Sequence, residues 1–317
     1  MKPKLVCITP IDQIPDLKSK FINYFESSFV ERPQKDELRI FLLNELCEII
    51  YTNPNQQRFT IDESLLDGTM IHTICTASTG LNHIDMKYCH SKNIKVISIT
   101  KELETLKKIT STAELAFCLL LTSIRHIIPA VESVRQQKWS WEPFLGRQIK
   151  DLNIGIVGHG RLGTMFSSYC KAFGATVSVY DPYVDVKNLG YNQVENIEKL
   201  VEICDVISLH VHVSDETKYL INKNTLKNAK QNLVIINTSR GEIVDENDIT
   251  DLLKSNMISH YACDVLEKEF VNNVDSPLLL LENSKVTITP HIGGSSSDAQ
   301  KIAYHRAFDL LLEQYKL

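Results

Sequence analysis

GIVGHGRLG, residues 155 to 163, spaces three glycines as Gly158-x-Gly160-x-x-Gly163. A triplet of this kind is a weak signal alone, and its surroundings decide its meaning. An aliphatic run, Ile154–Val157, leads into it. A helical pattern, Leu162–Phe173, leads out and is closed by Gly174. A second β-branched run, Thr176–Tyr180, then ends at Asp181, eighteen residues past Gly163. Strand, glycine turn, helix, strand and acid in that order form the context of a dinucleotide-binding turn. Gly158 permits the tight turn, Gly160 lets backbone approach a pyrophosphate, and Gly163 lets helix pack on strand. The helix N-terminus, with the N–H groups of Arg161 and Leu162, favours an anion. In isolation Asp181-Pro182 is a turn signal after a strand. Behind this glycine turn, Asp181 accepts the adenosine ribose hydroxyls and repels a 2′-phosphate, which favours NAD over NADP.

Working outward, the same alternation of β-branched runs and amphipathic segments fills the chain, the pattern of parallel α/β layers. After the glycine turn, strands are expected at Val206–Val211, Leu233–Asn237, His260–Val265 and Lys285–Thr289, with a helix at Glu246–Lys254. With Ile154–Val157 and Thr176–Tyr180 these make six, the count of a complete doubly wound nucleotide-binding domain. Before the turn, strands are expected at Lys4–Ile8, Glu48–Thr52, Ile71–Cys75 and Ile94–Ile99, with helices at Ile61–Leu66 and Asn82–Lys92. Ser111 and Glu114 have capping-box spacing, so a long helix starts there, and Pro129 kinks or ends its first part. A last amphipathic helix, Ser297 to Tyr315, is expected to pack back on the first domain and make it discontinuous.

The bulk numbers narrow the class. A length of 317 residues suggests two domains. A formal charge of -5, with no Lys/Arg cluster, offers no footprint for nucleic acid. Eight cysteines occur singly, without CxxC or paired His ligands. That usage points to a reducing, cytoplasmic compartment and to no metal site. The start, MKPKLVCITPID, is too short in apolar residues for a secretory signal, and the most apolar helix, Leu115 to Ile128, carries Arg125 and His126. Neither a leader nor a membrane span is expected.

The chemistry is expected at one rim. LVIINTSRGEIVD, residues 233 to 245, is an aliphatic strand that delivers Arg240 to its carboxyl end. A lone arginine is mostly a surface residue. In an open α/β sheet, however, ligands sit outside the carboxyl ends of strands. The next strand ends at Asp264, with Glu269 in the loop, and the last runs into TPHIGGSSSD, which carries His291. Reducing a ketone by hydride leaves charge on oxygen, so a proton donor must stand by. Histidine suits that task, and a neighbouring carboxylate favours its charged form. Arginine's planar fork holds a carboxylate. Arg240, Glu269 and His291 are therefore the candidate reactive group.

With these motifs in place, the chain resembles the D-2-hydroxyacid dehydrogenase family, of the phosphoglycerate and glycerate dehydrogenase kind. STAE (111–114), GIVGHGRLG, VISLHVHVSDETKYLIN, NTSRGEIVDE, ACDVLEKE and TPHIGGSSSDA fall in the family's order and spacing, over nearly the whole chain. The resemblance implies two doubly wound α/β domains: a flavodoxin-like substrate domain from both chain ends (1–106 with 290–317) and an inserted Rossmann NAD-binding domain (107–289). It also implies a homodimer. By the match, Arg240 grips a small 2-oxo or 2-hydroxy acid, and Glu269 and His291 form the acid/base pair. Asp264 meets the nicotinamide carboxamide. Thr238, Ser239 and His291 through Gly293 and Gly294 line the nicotinamide side, and His210 and Thr217 the cofactor cleft. Ser78, Thr79 and Gly80 hold the substrate carboxylate.

Some positions depart from the family pattern. His212 stands where Pro often follows LHV, Ser78 replaces a frequent glycine, and Phe270 replaces a frequent Pro. YTNPNQQR, with Arg58 the nearest cation, lacks the arginines that phosphoglycerate-specific members carry there. No appended sensing domain is expected after the last helix. The resemblance leaves two alternatives: an NAD-sensing corepressor-like binding protein, and a phosphite-type anion dehydrogenase. The formate branch carries an amide in place of Glu269.

Overall fold

The computed structural model describes residues 2–54, 59–269 and 275–317. Arg58 and Phe270, two positions singled out above, lie outside them. Contacts divide the chain into two compact units, one holding Met1–Ile109 and Gly294–Leu317, the other Thr110–Glu269 and the described part of 273–293.

The first unit is a five-stranded parallel sheet of Lys4–Cys7 (β1), Glu26–Phe29 (β2), Ile49–Thr52 (β3), Thr73–Thr76 (β4) and Lys95–Ser98 (β5), in the order β2-β1-β3-β4-β5. That is the flavodoxin-like order. Successive residues of a strand point to opposite faces, and β1 shows the consequence. Leu5 and Cys7 pack on one face with Leu17, Phe21, Tyr304 and Phe308. Val6 packs on the other with Leu38, Leu42, Leu65 and Cys89. The helix Ser297–Tyr315 lies where expected and belongs to this unit. Tyr51 donates to the Tyr304 carbonyl at 2.8 Å, fastening the far end of the sequence to β3.

The second unit is a seven-stranded parallel sheet: Asn153–Val157 (β6), Thr176–Tyr180 (β7), Asn192–Gln193 (β8), Val206–Leu209 (β9), Leu233–Asn237 (β10), Ile258–Cys263 (β11) and Val286–Ile288 (β12). Its order is β12-β11-β10-β9-β6-β7-β8. This is the doubly wound nucleotide-binding order with a seventh strand, and the order reverses between β6 and β9. All five residues of β10 are buried, as a strand covered on both faces requires.

Three expectations need correction. Two edge strands, β2 and β8, were missed because ESSF and NQ have no apolar run. The capping box does not form: Thr110 is the N-cap of the helix Ser111–Ile124 and makes no side-chain cap bond, and its hydroxyl bonds the Glu114 carboxylate instead, at 2.5 Å. Pro129 does not break that helix. The break falls earlier, at Arg125 and at His126 with φ 52°, and Pro129 sits in the first turn of the next helix, Ile127–Arg135, where proline is tolerated.

Candidate active site

The glycine turn leaves the end of β6 where the sheet order reverses. Gly158 adopts φ +89°, and a Cβ there would stand 2.7 Å from the His210 carbonyl at the end of β9. A Cβ on Gly163 would stand 2.1 Å from the Gly158 carbonyl. Only glycine fits either place. A Cβ on Gly160 would meet nothing within 4 Å, so that backbone faces open space at the N-terminus of the helix Arg161–Ala172. Arg161 and Leu162, both half-buried, open that helix. An anion-binding cradle has this form.

Asp181 is tied to the cradle. Its Oδ2 accepts the His159 N–H at 2.7 Å, and its Oδ1 accepts those of Tyr183 at 2.8 Å and Val184 at 3.1 Å. Across the reversal point, His210 bonds Ser208 through Nε2 at 2.9 Å, while its Nδ1 is buried without a partner. The same holds for Thr238 Oγ1, just past β10. Buried polar atoms rarely stay unpaired, so these orphans, with the open face at Gly160, fit a bound dinucleotide. Ser239 donates to the Leu209 carbonyl at 2.7 Å and laces the end of β10 to β9. Thr217 donates to the His212 carbonyl at 2.6 Å, and the Ser214 N–H donates to it at 2.7 Å, so Thr217 shapes its own exposed loop.

β10, β11 and β12 are neighbours, with Asn237 beside Cys263 and Cys263 beside Ile288. Arg240, Glu269 and His291 leave the carboxyl ends of these three strands. His291 Nδ1 lies 2.7 Å from Glu269 Oε1, and both side chains are largely buried. Glu269 Oε2 accepts the Leu266 N–H at 3.3 Å, which fixes the carboxylate from behind. Asp264 holds the turn that carries the histidine. Its carboxylate accepts the Ile292 N–H at 2.8 Å, the Gly293 N–H at 2.7 Å and the Thr289 hydroxyl at 2.5 Å. Burial pushes the Asp264 carboxyl up, against these hydrogen bonds. Gly293 is confined here, since a Cβ would stand 3.1 Å from Asp264 Oδ2, whereas Gly294 opens on free space.

Arg240 is half-buried and donates to the Ser239 carbonyl at 2.6 Å. Gly241 explains the Arg-Gly pair: a Cβ there would lie 2.1 Å from both Glu267 N and Leu266 C. The arginine turn thus packs directly on the loop that carries Glu269. In the first unit, the Ser78 hydroxyl donates to the Gly80 carbonyl at 2.8 Å and pairs with Thr76 at 2.9 Å, while the Thr79 carbonyl accepts from Thr100 at 3.1 Å. The serine found in place of glycine therefore braces its own loop.

Residues 117–293 match the family model described as D-isomer specific 2-hydroxyacid dehydrogenase, NAD binding domain. The chain belongs to the D-isomer specific 2-hydroxyacid dehydrogenase family. A hydroxypyruvate reductase of Thermotoga maritima is 30% identical over 272 residues, 86% of this chain and 85% of that protein. A D-3-phosphoglycerate dehydrogenase of Bacillus subtilis is 32% identical over 284 residues, 87% of this chain and 51% of that protein. The chain spans about half the length of the phosphoglycerate dehydrogenases it matches. Among solved structures, a D-lactate dehydrogenase from Aquifex aeolicus complexed with NAD and lactic acid shares the fold, with a TM-score of 0.81, 24% identity and coverage of 99% and 95%.

Two residues of this family member escaped the sequence reading. Asn237, fully buried, donates to the Arg240 carbonyl at 2.9 Å and accepts the Ser239 N–H at 3.0 Å, forming the turn that presents the arginine. An asparagine closing an aliphatic strand was the available signal. Glu246, also buried, accepts the Glu267 N–H at 2.9 Å and the Ser276 hydroxyl at 2.6 Å, anchoring the segment before Glu269. Nothing local distinguishes it from any acid in the first turn of a helix.

Proposed function

We propose that the protein is an NAD-dependent dehydrogenase that interconverts a D-2-hydroxy acid and its 2-oxo acid. The 2.7 Å pair of His291 Nδ1 and Glu269 Oε1, beside the Arg240 turn, carries this reading. NAD, when bound, supplies or accepts the hydride. Gly158, Gly160, Gly163 and the N–H groups of Arg161 and Leu162 would hold its pyrophosphate, and Asp181 its adenosine ribose. Thr238, Ser239, His210, Thr217, Gly293 and Gly294 would line the remainder. The remaining acceptor capacity of Asp264 would meet the carboxamide, since an ionised carboxylate has about four lone-pair sites.

The side chains divide the other tasks. Arg240 presents a planar, permanently charged fork to the substrate carboxylate. With Nδ1 committed to Glu269, His291 gives its proton to the carbonyl oxygen from Nε2 during reduction and takes it back during oxidation. Glu269 fixes the ring through its 2.7 Å bond to Nδ1. In the first unit we assign Ser78, Thr79 and Gly80 to the substrate carboxylate. That unit and the second would serve as substrate-binding and NAD-binding domains. Phosphoglycerate is disfavoured by the sparse cations of YTNPNQQR.

We also propose a cytoplasmic homodimer. All eight cysteines are unbridged, and all but Cys118 are buried. The helix Ile127–Arg135 has no buried residue, and Trp139 and Trp141 after it are 90% and 71% exposed. An apolar face of this extent marks an interaction surface, and a second copy of the chain is the occupant proposed.

The test is NADH oxidation across 2-oxo acids with and without a terminal phosphate, with Arg240→Ala assayed alongside. Turnover on an unphosphorylated class, lost in the variant, is expected. NADH binding without turnover on any member would favour a sensor.

A further inference from the structure

His159, the second residue of the glycine turn, takes no part in the chemistry above. Its ring is buried and lies 5.0 Å from the Tyr191 ring. Thr164 Oγ1 approaches its Nδ1 at 3.4 Å, and its Nε2 is buried without a partner. Its backbone N–H is the 2.7 Å donor to Asp181 Oδ2, so the residue is tied to that carboxylate at the end that we assign to the adenosine ribose, and the Asp181 charge acts on the ring. A purely apolar ring would fill the same space against Tyr191. Packing alone therefore gives no reason for an imidazole.

We propose that His159 is a further specificity-determining residue, whose ring charge sets how strongly the site discriminates against a dinucleotide carrying a 2′-phosphate. This inference rests on the reading of the turn as a dinucleotide site. With the ring neutral, the Asp181 charge faces a 2′-phosphate unopposed. With the ring protonated, a cation stands beside Asp181 and offsets that repulsion. The charged and titratable groups around the ring are Asp181 after β7, His210 after β9 and Tyr191 before β8. Lys171, on the helix Arg161–Ala172, adds an ammonium 4.9 Å from the Tyr191 centroid. Burial holds His159 below the ordinary imidazole range, and Asp181 acts in the opposite direction. The ring is therefore neutral at pH 7 and gains its proton only as the solution becomes acidic.

The test uses the full chain and reads binding. Dissociation constants of NADH and NADPH are measured by nicotinamide fluorescence from pH 8 to pH 5.5, for wild type and for His159→Phe. The 2′-phosphate itself titrates near pH ~6, and the variant retains that contribution. The NADPH-to-NADH ratio of dissociation constants should fall on acidification by roughly fivefold more in wild type than in the variant, as a charge pair at partly solvated distance permits. Parallel curves would overturn the proposal. A second measurement needs no stable variant in its complexes. By linkage, NADPH must raise the His159 pKa, read from its ring NMR resonance, more than NADH does. Equal values in the two complexes would overturn the proposal while leaving the site assignment intact. If neither dinucleotide binds wild type at any pH, the site assignment falls, and the inference with it.

Discussion

His291 adopts φ 54°, a backbone region that few residues with a side chain enter. Its N–H bonds back to the Asp264 and Thr289 carbonyls at 2.9 and 3.0 Å, and Asp264 clamps the next two N–H groups. The turn is over-determined by these bonds, and this is how a strained residue is kept in place. The consequence is a ring aimed with little freedom at Glu269. His291→Ala should lower kcat by roughly 10²–10⁴-fold, the usual range for a general acid–base residue. The NADH dissociation constant should change little, because the glycine cradle is built on other strands. Stopped-flow binding beside steady-state turnover checks both, and a comparable loss of NADH affinity would contradict the assignment.

At the scale of elements, the readable parts were those whose physics is local or two-faced. β10 is apolar throughout because both faces are covered, and its bounds match the expectation Leu233–Asn237. The helix Glu246–Lys254 was legible from its period, and its N-cap Asp245 accepts two backbone N–H groups. β2 and β8 were illegible because an edge strand need not be apolar. The supports of the site were hidden for another reason. Asn237 and Glu246 act through backbone groups far along the chain, which periodicity does not record. Gly241 stood next to Arg240 in plain view, but its partner, the backbone at Leu266 and Glu267, exists only after β10 and β11 pair.

His260 on β11 gives this scale its prediction. It bridges to the next strand through Thr287 at 3.0 Å, and to the Ser284 carbonyl at 3.2 Å. Burial pushes it down to about 4 from an ordinary value of 6.5. Above pH ~6.5 neither the folded nor the unfolded chain protonates it, and it has no effect on the balance. Between that value and about 4 the unfolded chain takes up a proton that the folded chain refuses. Stability falls across this window as pH falls, by at most about 1.4 kcal/mol per pH unit. His260→Asn should flatten this part of the Tm-against-pH curve. An unchanged acid slope would show that the imidazole is protonated in the folded state.

At the scale of the whole molecule, two sheets with the flavodoxin-like and nucleotide-binding orders follow from one sequence rhythm, parallel strands linked by helices. Among the described residues, the helix Ile127–Arg135 buries none of its side chains, and Trp139, Trp141 and Leu145 after it are exposed. Leu145 is 71% exposed, so on the proposed homodimer Leu145→Glu should leave the fold intact and give a monomer in sedimentation velocity. A dimer that persists unchanged would place the interface elsewhere.

The central claim is that Arg240, Glu269 and His291 hold and protonate a 2-oxo acid so that hydride from NADH reaches one defined face. The most direct measurement is the configuration of the product, by chiral chromatography of the 2-hydroxy acid formed with NADH. The account predicts the D isomer alone, in an amount equal to the NADH consumed. An L isomer or a racemate would contradict it.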